Sequence, residues 1–237
     1  MATTTLSIPA TGLVAPSSIG NRAQLNAMMR EGIKKYGKYF KFASENSKLP
    51  VEMLLAFAAV ESGIGRNIGD PGHITRGIMQ WNRTYAKSTL ESELKLGRMT
   101  PAEKSKLAEY GIKFDANGKT RAITEADQVK PELNILIGSI IVGKLADSIL
   151  DSTKDSPAWG TDANGAIRLD RIIACYNAGG YGDTGKKARK GNYATPAALA
   201  AAVNSTTAGY IKKLMGSNGY YHLLLTDLKS DVAPYKA

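Results

Sequence analysis

Hydrophobic positions recur with a helical period along most of the chain. Residues 21–47 carry apolar side chains on one helix face and lysines on the other, with Leu25, Met28, Met29 and Ile33 opposite Lys34, Lys35, Lys38 and Lys41. Residues 131–150 are apolar on nearly all sides, which is typical of a buried central helix. A further stripe runs from Leu169 through Ile172 and Ile173 to Tyr176. The pattern therefore predicts a mainly α fold.

The segment Pro50–Gly63 is predicted to form a short apolar helix that ends on a carboxylate. Proline suits the first helical position, and glycine can adopt the left-handed conformation that ends a helix. Glu61 shares one face with Leu54 and Phe57, where desolvation and the negative end of the helix dipole both raise the pKa of a carboxyl group. A carboxyl group that is partly protonated near neutral pH can act as a general acid. The alternative is a terminal glutamate that bends out to solvent.

Four short motifs follow one another along the chain: Val60–Gly63 (Val-Glu-Ser-Gly), Gly77–Gln80 (Gly-Ile-Met-Gln), Pro131–Ile135 (Pro-Glu-Leu-Asn-Ile) and Cys175–Gly179 (Cys-Tyr-Asn-Ala-Gly). In this order, with an acid at the end of an apolar helix, they resemble the catalytic domain of the lytic transglycosylases. These enzymes belong to the lysozyme-like superfamily together with goose-type lysozyme. The resemblance covers roughly residues 25–215 and implies a lysozyme-like single domain, residues 21–237, with a cleft between helical subregions.

The resemblance implies cleavage of the β-1,4 bond between N-acetylmuramic acid and N-acetylglucosamine in peptidoglycan, with a 1,6-anhydro end as the product. Glu61 would be the catalytic residue, which protonates the leaving oxygen and then takes the proton of the C6 hydroxyl that attacks C1. The residues implied in substrate binding are Ser62, Gly77, Met79, Gln80, Tyr176, Asn177 and Tyr210. In this scheme Tyr176 orients the acid and Asn177 holds sugar amide or hydroxyl groups. The residues alone also allow Tyr176 to be a core aromatic.

The chain departs from the family pattern in two places. Thr206 stands where the last motif of the family has a glutamate, so the polar contacts of that motif are in question, while Tyr210 can still supply its hydroxyl. The second departure is an insertion, residues 82–128. A helix opened by Thr100–Glu103 and a β-hairpin that turns at Asp115–Gly118 are predicted there. We interpret the insertion either as an element beside the cleft that contacts the wall or a partner, or as a purely structural elaboration.

The charge of the chain favours a polyanionic partner. Its 237 residues carry a formal net charge of +10. Such a partner is a nucleic acid or an anionic envelope, but the sequence shows no nucleic-acid module and no interleaving of aromatic and basic residues. Charge alone does not choose between these partners, and it is the resemblance that implies bacterial peptidoglycan. Other virion or tail proteins are further candidates, and no nucleic acid is expected. The strongest basic patch lies in a predicted loop, residues 181–193. This loop either binds phosphate or carboxylate groups or is simply solvated.

Neither a metal nor a cofactor is expected. Cys175 is the single cysteine and lies in an apolar helical stretch, which predicts a buried, inert thiol. The two histidines, His73 and His222, lack the spacing of paired zinc ligands. Asp-Ala-Asn-Gly occurs at residues 115–118 and again at 162–165. Neither copy has the ladder of acidic ligands of a calcium loop, so both are interpreted as turns.

Residues 1–20 are rich in Thr, Ser, Pro and Gly, which predicts a flexible tail. They lack the basic segment and apolar run of a secretory signal. No stretch of the sequence reaches the ~18 to 20 consecutive apolar residues of a membrane span. We expect a protein made without a signal peptide, with no membrane span, that acts in the bacterial cell wall. This suits a bacteriophage enzyme that is either carried in the virion or made in the host cytoplasm as an endolysin.

Two other functions fit the same residues. A hydrolytic muramidase would use Glu61 with a second carboxylate, for which Asp70 is the nearest candidate in the adjoining loop. A non-catalytic wall-binding or virion structural protein would keep the fold without turnover. The product formed from peptidoglycan tests the first alternative, and turnover itself tests the second.

Overall fold

The computed structural model describes residues 12–47, 49–153, 168–179 and 182–236. Twelve α-helices and a two-stranded antiparallel hairpin are present in these ranges, which confirms the predicted mainly α fold with a small β-hairpin. The chain divides into two compact units. The single domain predicted over residues 21–237 stays a prediction. Residues 1–11 and the second Asp-Ala-Asn-Gly sequence lie outside the described ranges.

The first unit, called the Glu61 unit, comprises residues 28–144 and 231–237. Its elements are most of α1 (Arg22–Ser47), α2 (Val51–Ser62), β1 (Thr75–Arg76), β2 (Trp81–Asn82), α3 (Arg83–Lys95), α4 (Pro101–Glu109), α5 (Glu125–Gln128), the first part of α6 (Pro131–Thr153) and a 3₁₀ turn (Ala233–Tyr235). The two strands form a tight hairpin, in which Thr75 lies opposite Asn82 and Arg76 lies opposite Trp81.

Local sequence explains where several of these helices begin and end. The Thr100 side chain accepts from the backbone N–H of Glu103 at the start of α4, and the Glu103 side chain accepts from the backbone N–H of Thr100, as the predicted capping box requires. Thr124 and Asp127 form a second capping box at the start of α5. Gly63 ends α2 in the left-handed conformation, with a φ of 60°, as predicted. Short-range signals are therefore sufficient to locate these ends.

The second unit, called the Tyr176 unit, comprises residues 1–27 and 145–230. Its helices are the start of α1, the end of α6, α7 (Leu169–Ala178), α8 (Asp183–Lys190), α9 (Pro196–Ala202), α10 (Ser205–Met215), α11 (Tyr220–Leu225) and the start of α12 (Lys229–Val232). Part of the predicted tail is ordered here. Leu13 is buried, and backbone hydrogen bonds join residues 13 and 15 to Ser217.

The predicted hairpin in the insertion differs from the observed structure. The turn forms at Asp115–Gly118, but strand pairing is limited to one bridge, between Phe114 and Thr120. The backbone N–H of Thr120 donates to the carboxylate of Glu91 over 3.1 Å. The two-stranded hairpin lies instead at residues 75–82, around the Gly-Ile-Met-Gln motif.

Residues 183–190, in the predicted loop 181–193, form helix α8. Asp183 lies in its first turn, and the basic residues Lys187, Arg189 and Lys190 lie in its last turn. Each charge is thus at the end of the helix where the dipole stabilises it. The loop assignment is therefore wrong for these residues.

Among the described residues, one helical stretch, Pro131–Asp151, is long and apolar enough to cross a membrane. Within the protein, however, 72% of the 18-residue apolar window in this stretch is buried, as expected of a core helix. The observation is therefore weak evidence for a membrane span.

Candidate active site

Glu61 lies where a buried helix reaches the surface. Residues 51–59 of α2 are all buried, whereas Val60 and Glu61 in the last turn are part-exposed. The predicted acid at the end of an apolar helix is therefore confirmed in its position. A part-exposed carboxylate can exchange a proton with a bound molecule, which a fully buried one cannot do without a conformational change.

Ser62 connects the end of α2 to the Gly-Ile-Met-Gln motif. Its hydroxyl donates to the carbonyl oxygen of Ile78 over 2.7 Å and accepts from the backbone N–H of Gly65 over 2.8 Å. The side chain is buried, so this hydroxyl serves inside the protein. The role of Ser62 in substrate binding stays a prediction. Its observed contacts hold the backbone at the end of α2, next to Glu61.

Gly77 occupies a position that no other residue fits. Its φ is +89°, and a Cβ atom added there would lie 2.1 Å from Nδ2 of Asn134 and 2.2 Å from the carbonyl oxygen of Gln128. Both distances are far below van der Waals contact, so a side chain would displace the backbone. Gly77 therefore allows the close approach of the motif to α6, and it is a structural residue of this region.

Met79 and Gln80 differ in exposure. Met79 is fully buried, and it packs against Gly138, where a Cβ atom would lie 2.6 Å from the Met79 side chain. Gln80 is part-exposed with a φ of +47°, and its Nε2 donates to the carbonyl oxygens of Gly77 over 2.9 Å and Asn67 over 3.2 Å. Of the four motif residues, Gln80 is the one whose side chain is accessible to a ligand.

Asn134 forms hydrogen bonds with several backbone and side-chain groups of this region. Its Oδ1 accepts from the backbone N–H of Met79 over 2.7 Å, and its Nδ2 donates to the carbonyl oxygens of Arg76 and Gln128 over 3.1 and 2.8 Å. Its own carbonyl oxygen accepts from Nε1 of Trp81 over 2.9 Å. The sequence predicts that a buried Asn134 must find partners, and this is confirmed.

Gln128 was not among the predicted site residues, although it serves the same network. It is fully buried at the end of α5, and its Nε2 donates to the carbonyl oxygens of Ile74 over 3.0 Å and Trp81 over 2.8 Å. The two acceptors belong to the two sides of the hairpin. A polar residue at the junction between the insertion and α6 is the signal that could have identified it.

The other predicted binding residues lie in the Tyr176 unit. Tyr176 and Asn177 are part-exposed at the end of α7, and Tyr210 of α10 is buried. The hydroxyl of Thr207 donates to Oδ1 of Asn177 over 2.9 Å, which orients the amide group. Thr206 is exposed. The polar contact to Asn177 therefore comes from Thr207, the residue after Thr206.

Buried charges brace the helix that carries Tyr176. Arg168 donates twice to Asp170, over 2.8 and 2.6 Å, and both side chains are nearly inaccessible. Arg171 is fully buried and donates to the carbonyl oxygens of Ala188 and Gly191, each over 2.8 Å. Burial lowers the pKa of the Arg171 guanidinium from its usual range. These contacts hold the end of α8 against α7.

Cys175 lies on the same helix and is buried, as predicted. Its Sγ is 3.6 Å from the carbonyl oxygen of Gly185. Burial raises the pKa of the thiol to about 12, so it is a poor nucleophile at neutral pH.

The structure thus groups the predicted residues by unit. Glu61, Ser62, Gly77, Met79 and Gln80 belong to the Glu61 unit, and Tyr176, Asn177 and Tyr210 belong to the Tyr176 unit. Asp70 is exposed in the loop after α2, where its backbone carbonyl accepts from the N–H of His73. In the described ranges, no three acidic, histidine or cysteine side chains are close enough to hold a metal ion.

Comparisons with known proteins add no family assignment. No protein-family model and no curated protein matches this sequence.

Proposed function

We propose that the chain is a peptidoglycan lytic transglycosylase with Glu61 as its catalytic residue. The observation that carries the proposal is a part-exposed carboxylate in the last turn of a helix that is buried over residues 51–59. Ser62, the next residue, is tied to the carbonyl oxygen of Ile78. Glu61 is therefore presented from a rigid element, which catalysis by proton transfer requires.

In the proposed reaction, protonated Glu61 donates a proton to the glycosidic oxygen while the bond from that oxygen to C1 of the muramic acid breaks. The resulting carboxylate takes the proton of the C6 hydroxyl group of the same sugar. The C6 oxygen attacks C1 and closes a 1,6-anhydro ring. Because the nucleophile belongs to the substrate, one carboxylate serves both steps, whereas glycosidases of the two-carboxylate type need a second acid.

The surroundings of Glu61 support this chemistry. Leu54, Phe57 and Ala58 of α2 are fully buried, and an apolar environment disfavours the ionised form of a nearby carboxyl group. Asn134 fixes the backbone of the Gly-Ile-Met-Gln motif through neutral hydrogen bonds.

We assign sugar binding to the accessible polar side chains. Gln80 and Asn177 are part-exposed amides whose positions are set by contacts to the backbone and to Thr207. The net charge of +10 favours approach to the anionic cell wall. Within this proposal the enzyme reaches the wall from a bacteriophage virion, bound to other virion or tail proteins, or acts from the host cytoplasm at lysis.

The test is the rate at which purified protein releases soluble fragments from peptidoglycan. Glu61→Gln keeps the size of the side chain but cannot transfer the proton, so we expect the rate to fall by about 10² to 10⁴-fold. Glu52→Gln is the matched control, because Glu52 lies on the same helix and pairs with Lys236 over 2.5 Å at its other end. This control should release fragments at a rate close to that of the wild type.

Equal rates for the wild type and Glu61→Gln would remove Glu61 from catalysis. A wild-type protein that binds peptidoglycan but releases nothing would favour the non-catalytic wall-binding alternative.

A further inference from the structure

A residue from the 82–128 insertion holds the loop that follows the Glu61 helix. This loop, Asn67–Arg76, leads from α2 to the hairpin. We propose that Glu125 of the insertion is a positioning residue for the Glu61 site, which it supports by fixing the Asn67–Arg76 loop. The inference rests on the proposed function, and it gives the insertion a role in catalysis.

Glu125 contacts the loop at its tip and at its end. Its Oε1 accepts from the backbone N–H of Gly72 over 3.0 Å and also from the guanidinium group of Arg76. Oε2 lies 3.6 Å from Nη1 of Arg83, at the start of α3. One carboxylate therefore joins three points of the chain that are distant from it in sequence.

Arg76 extends the connection across the loop. Its Nε donates to the carbonyl oxygen of Gly69 over 3.1 Å, while its own carbonyl oxygen accepts from Nδ2 of Asn134. The side chain of Arg76 is only 11% exposed. Without Glu125, this nearly buried cation would lose its closest anionic partner, which is costly for a buried charge.

The loop is in turn bonded to the residue next to Glu61. The backbone N–H of Asn67 donates to the carbonyl oxygen of Ser62 over 2.9 Å, and the N–H of Gly77 donates to the carbonyl oxygen of Ile68 over 2.8 Å. A displacement of the loop is therefore transmitted to the end of α2. A shift of about 1 Å in a catalytic group can lower a rate by roughly 10²-fold.

Glu125 is ionised under ordinary conditions, as this role requires. The N–H of Gly72, followed by the charge and the hydrogen bond of Arg76, lowers the pKa of the Glu125 carboxyl from its usual range. The charge of Arg83 acts in the same direction. The ionised form that these contacts need is therefore favoured in the folded protein.

The experiment compares Glu125→Ala, Glu125→Gln and a control, Glu109→Gln. Glu109 also lies in the insertion and also pairs with a cation, Lys106, but it is exposed and makes no contact with the loop. Two properties are measured for each variant. Hydrogen exchange of the Asn67, Gly72 and Gly77 amides reports the loop without any substrate, and the pH profile of peptidoglycan cleavage reports the site.

In Glu125→Ala we expect the amide hydrogens of Asn67, Gly72 and Gly77 to exchange at least tenfold faster than in the wild type. We expect this variant to cleave peptidoglycan about tenfold to 100-fold more slowly. Water that reaches the loosened site should move the alkaline limb of the pH profile to lower pH, because the Glu61 carboxyl then ionises more easily. A smaller folded fraction would lower the whole profile without moving it. Glu125→Gln keeps an oxygen acceptor for Gly72 and should recover part of both effects, and Glu109→Gln should match the wild type.

The results separate this inference from the proposed function. An inactive wild-type protein would overturn the proposed function, and with it the positioning role. An active wild type together with unchanged exchange in Glu125→Ala would show that Glu125 does not fix the loop. Faster exchange with an unchanged rate and pH profile would show that the loop does not position Glu61. Either result would overturn the inference and leave the proposed function standing.

Discussion

The two units hold their motif residues with different polar groups. In the Glu61 unit, the buried neutral side chains of Ser62, Gln128 and Asn134 bond to backbone atoms of the hairpin. This unit also buries charged side chains, such as those of Arg76 and Asp127. In the Tyr176 unit, the buried links are the charges of Arg168, Asp170 and Arg171. Burying a neutral amide costs far less free energy than burying an ion, provided that each is hydrogen-bonded. Helix α7 therefore depends more strongly on each partner of its buried contacts than the hairpin does.

The difference also suits the chemistry that we propose. A guanidinium group near a carboxyl group favours the ionised form and lowers its pKa, whereas amide groups hold a backbone without adding charge. An acid that must stay partly protonated is compatible with a framework of neutral amide groups. Residues that bind a neutral sugar tolerate a framework of buried charges.

The largest expected effect concerns the buried ion pair of the Tyr176 unit. Asp170→Ala leaves Arg168 buried without its counter-charge, so we expect a loss of about 3–5 kcal/mol in the free energy of unfolding. The matched control is Asp227→Ala, which removes the carboxylate of the Arg22–Asp227 pair in the same unit, where the side chains are 52% and 20% exposed. Because solvent screens that pair, the control should lose much less.

Urea unfolding of Asp170→Ala and Asp227→Ala measures the two losses in the free energy of unfolding. Labelling of Cys175 by a thiol reagent supplies a local readout, because its buried thiol lies on the same helix as Asp170. Labelling should accelerate in Asp170→Ala and remain near the wild-type rate in the control. Similar losses in the two variants would contradict the claim that this unit depends on buried charge.

The next effect concerns the close packing of Gly77 against Asn134 and Gln128 in the Glu61 unit. Gly77→Ala places a methyl group against Asn134 and the carbonyl oxygen of Gln128 at a positive φ, so we expect a loss of about 3 kcal/mol. Gly72→Ala is the control, because Gly72 has a similar φ of +84° with open space around it. Backbone strain alone should cost this variant about 1 kcal/mol. Thermal unfolding of both variants measures the difference, and equal losses would mean that the network adapts to the methyl group.

The smallest effect concerns a charge at the edge of the Glu61 unit. Glu91 accepts from Lys87, the backbone N–H of Thr120 and Lys119, and these bonds, that of Lys87 first, lower its pKa to about 2. The folded state therefore favours the ionised form. The resulting stabilisation is present above the unfolded pKa of ~4.3 and is lost as the pH falls towards 2.

Melting curves of the wild type and Glu91→Gln test this pH dependence. The wild type should melt at a higher temperature from about pH 5 upwards, and the difference should shrink as the pH falls from 4 to 2. A difference that is constant over this range would show that hydrogen bonding, and not charge, accounts for the contribution of Glu91.

The sequence predicts best those elements whose structure is determined by residues close together along the chain. The apolar run of α2, its end at Gly63 and the capping box of Thr100 and Glu103 are all short-range features. The loop prediction is wrong for residues 183–190 because a helix of eight residues is marginal by itself and its sequence signal is weak. Its stability comes from contacts with Arg171, which lies far away in the sequence.

The hydrogen-bond networks are the part that the sequence does not reveal. Burial of Asn134 requires partners, but the identity of those partners depends on how the hairpin folds back onto α6. Arg168 and Asp170 interrupt an apolar stripe without the spacing of any motif. The contact of Glu125 with Gly72 spans 53 positions of the chain, and no local pattern indicates it.

The most direct measurement of the central claim is the mass of the fragments that the protein releases from purified peptidoglycan. Cleavage with the C6 hydroxyl as nucleophile adds no water, so the account predicts muropeptides that are one water lighter than those released by a lysozyme. Glu61→Gln should release almost none of them. Fragments that end in reducing muramic acid would contradict the account. They would require a second carboxylate, for which Asp70 is the first residue to substitute.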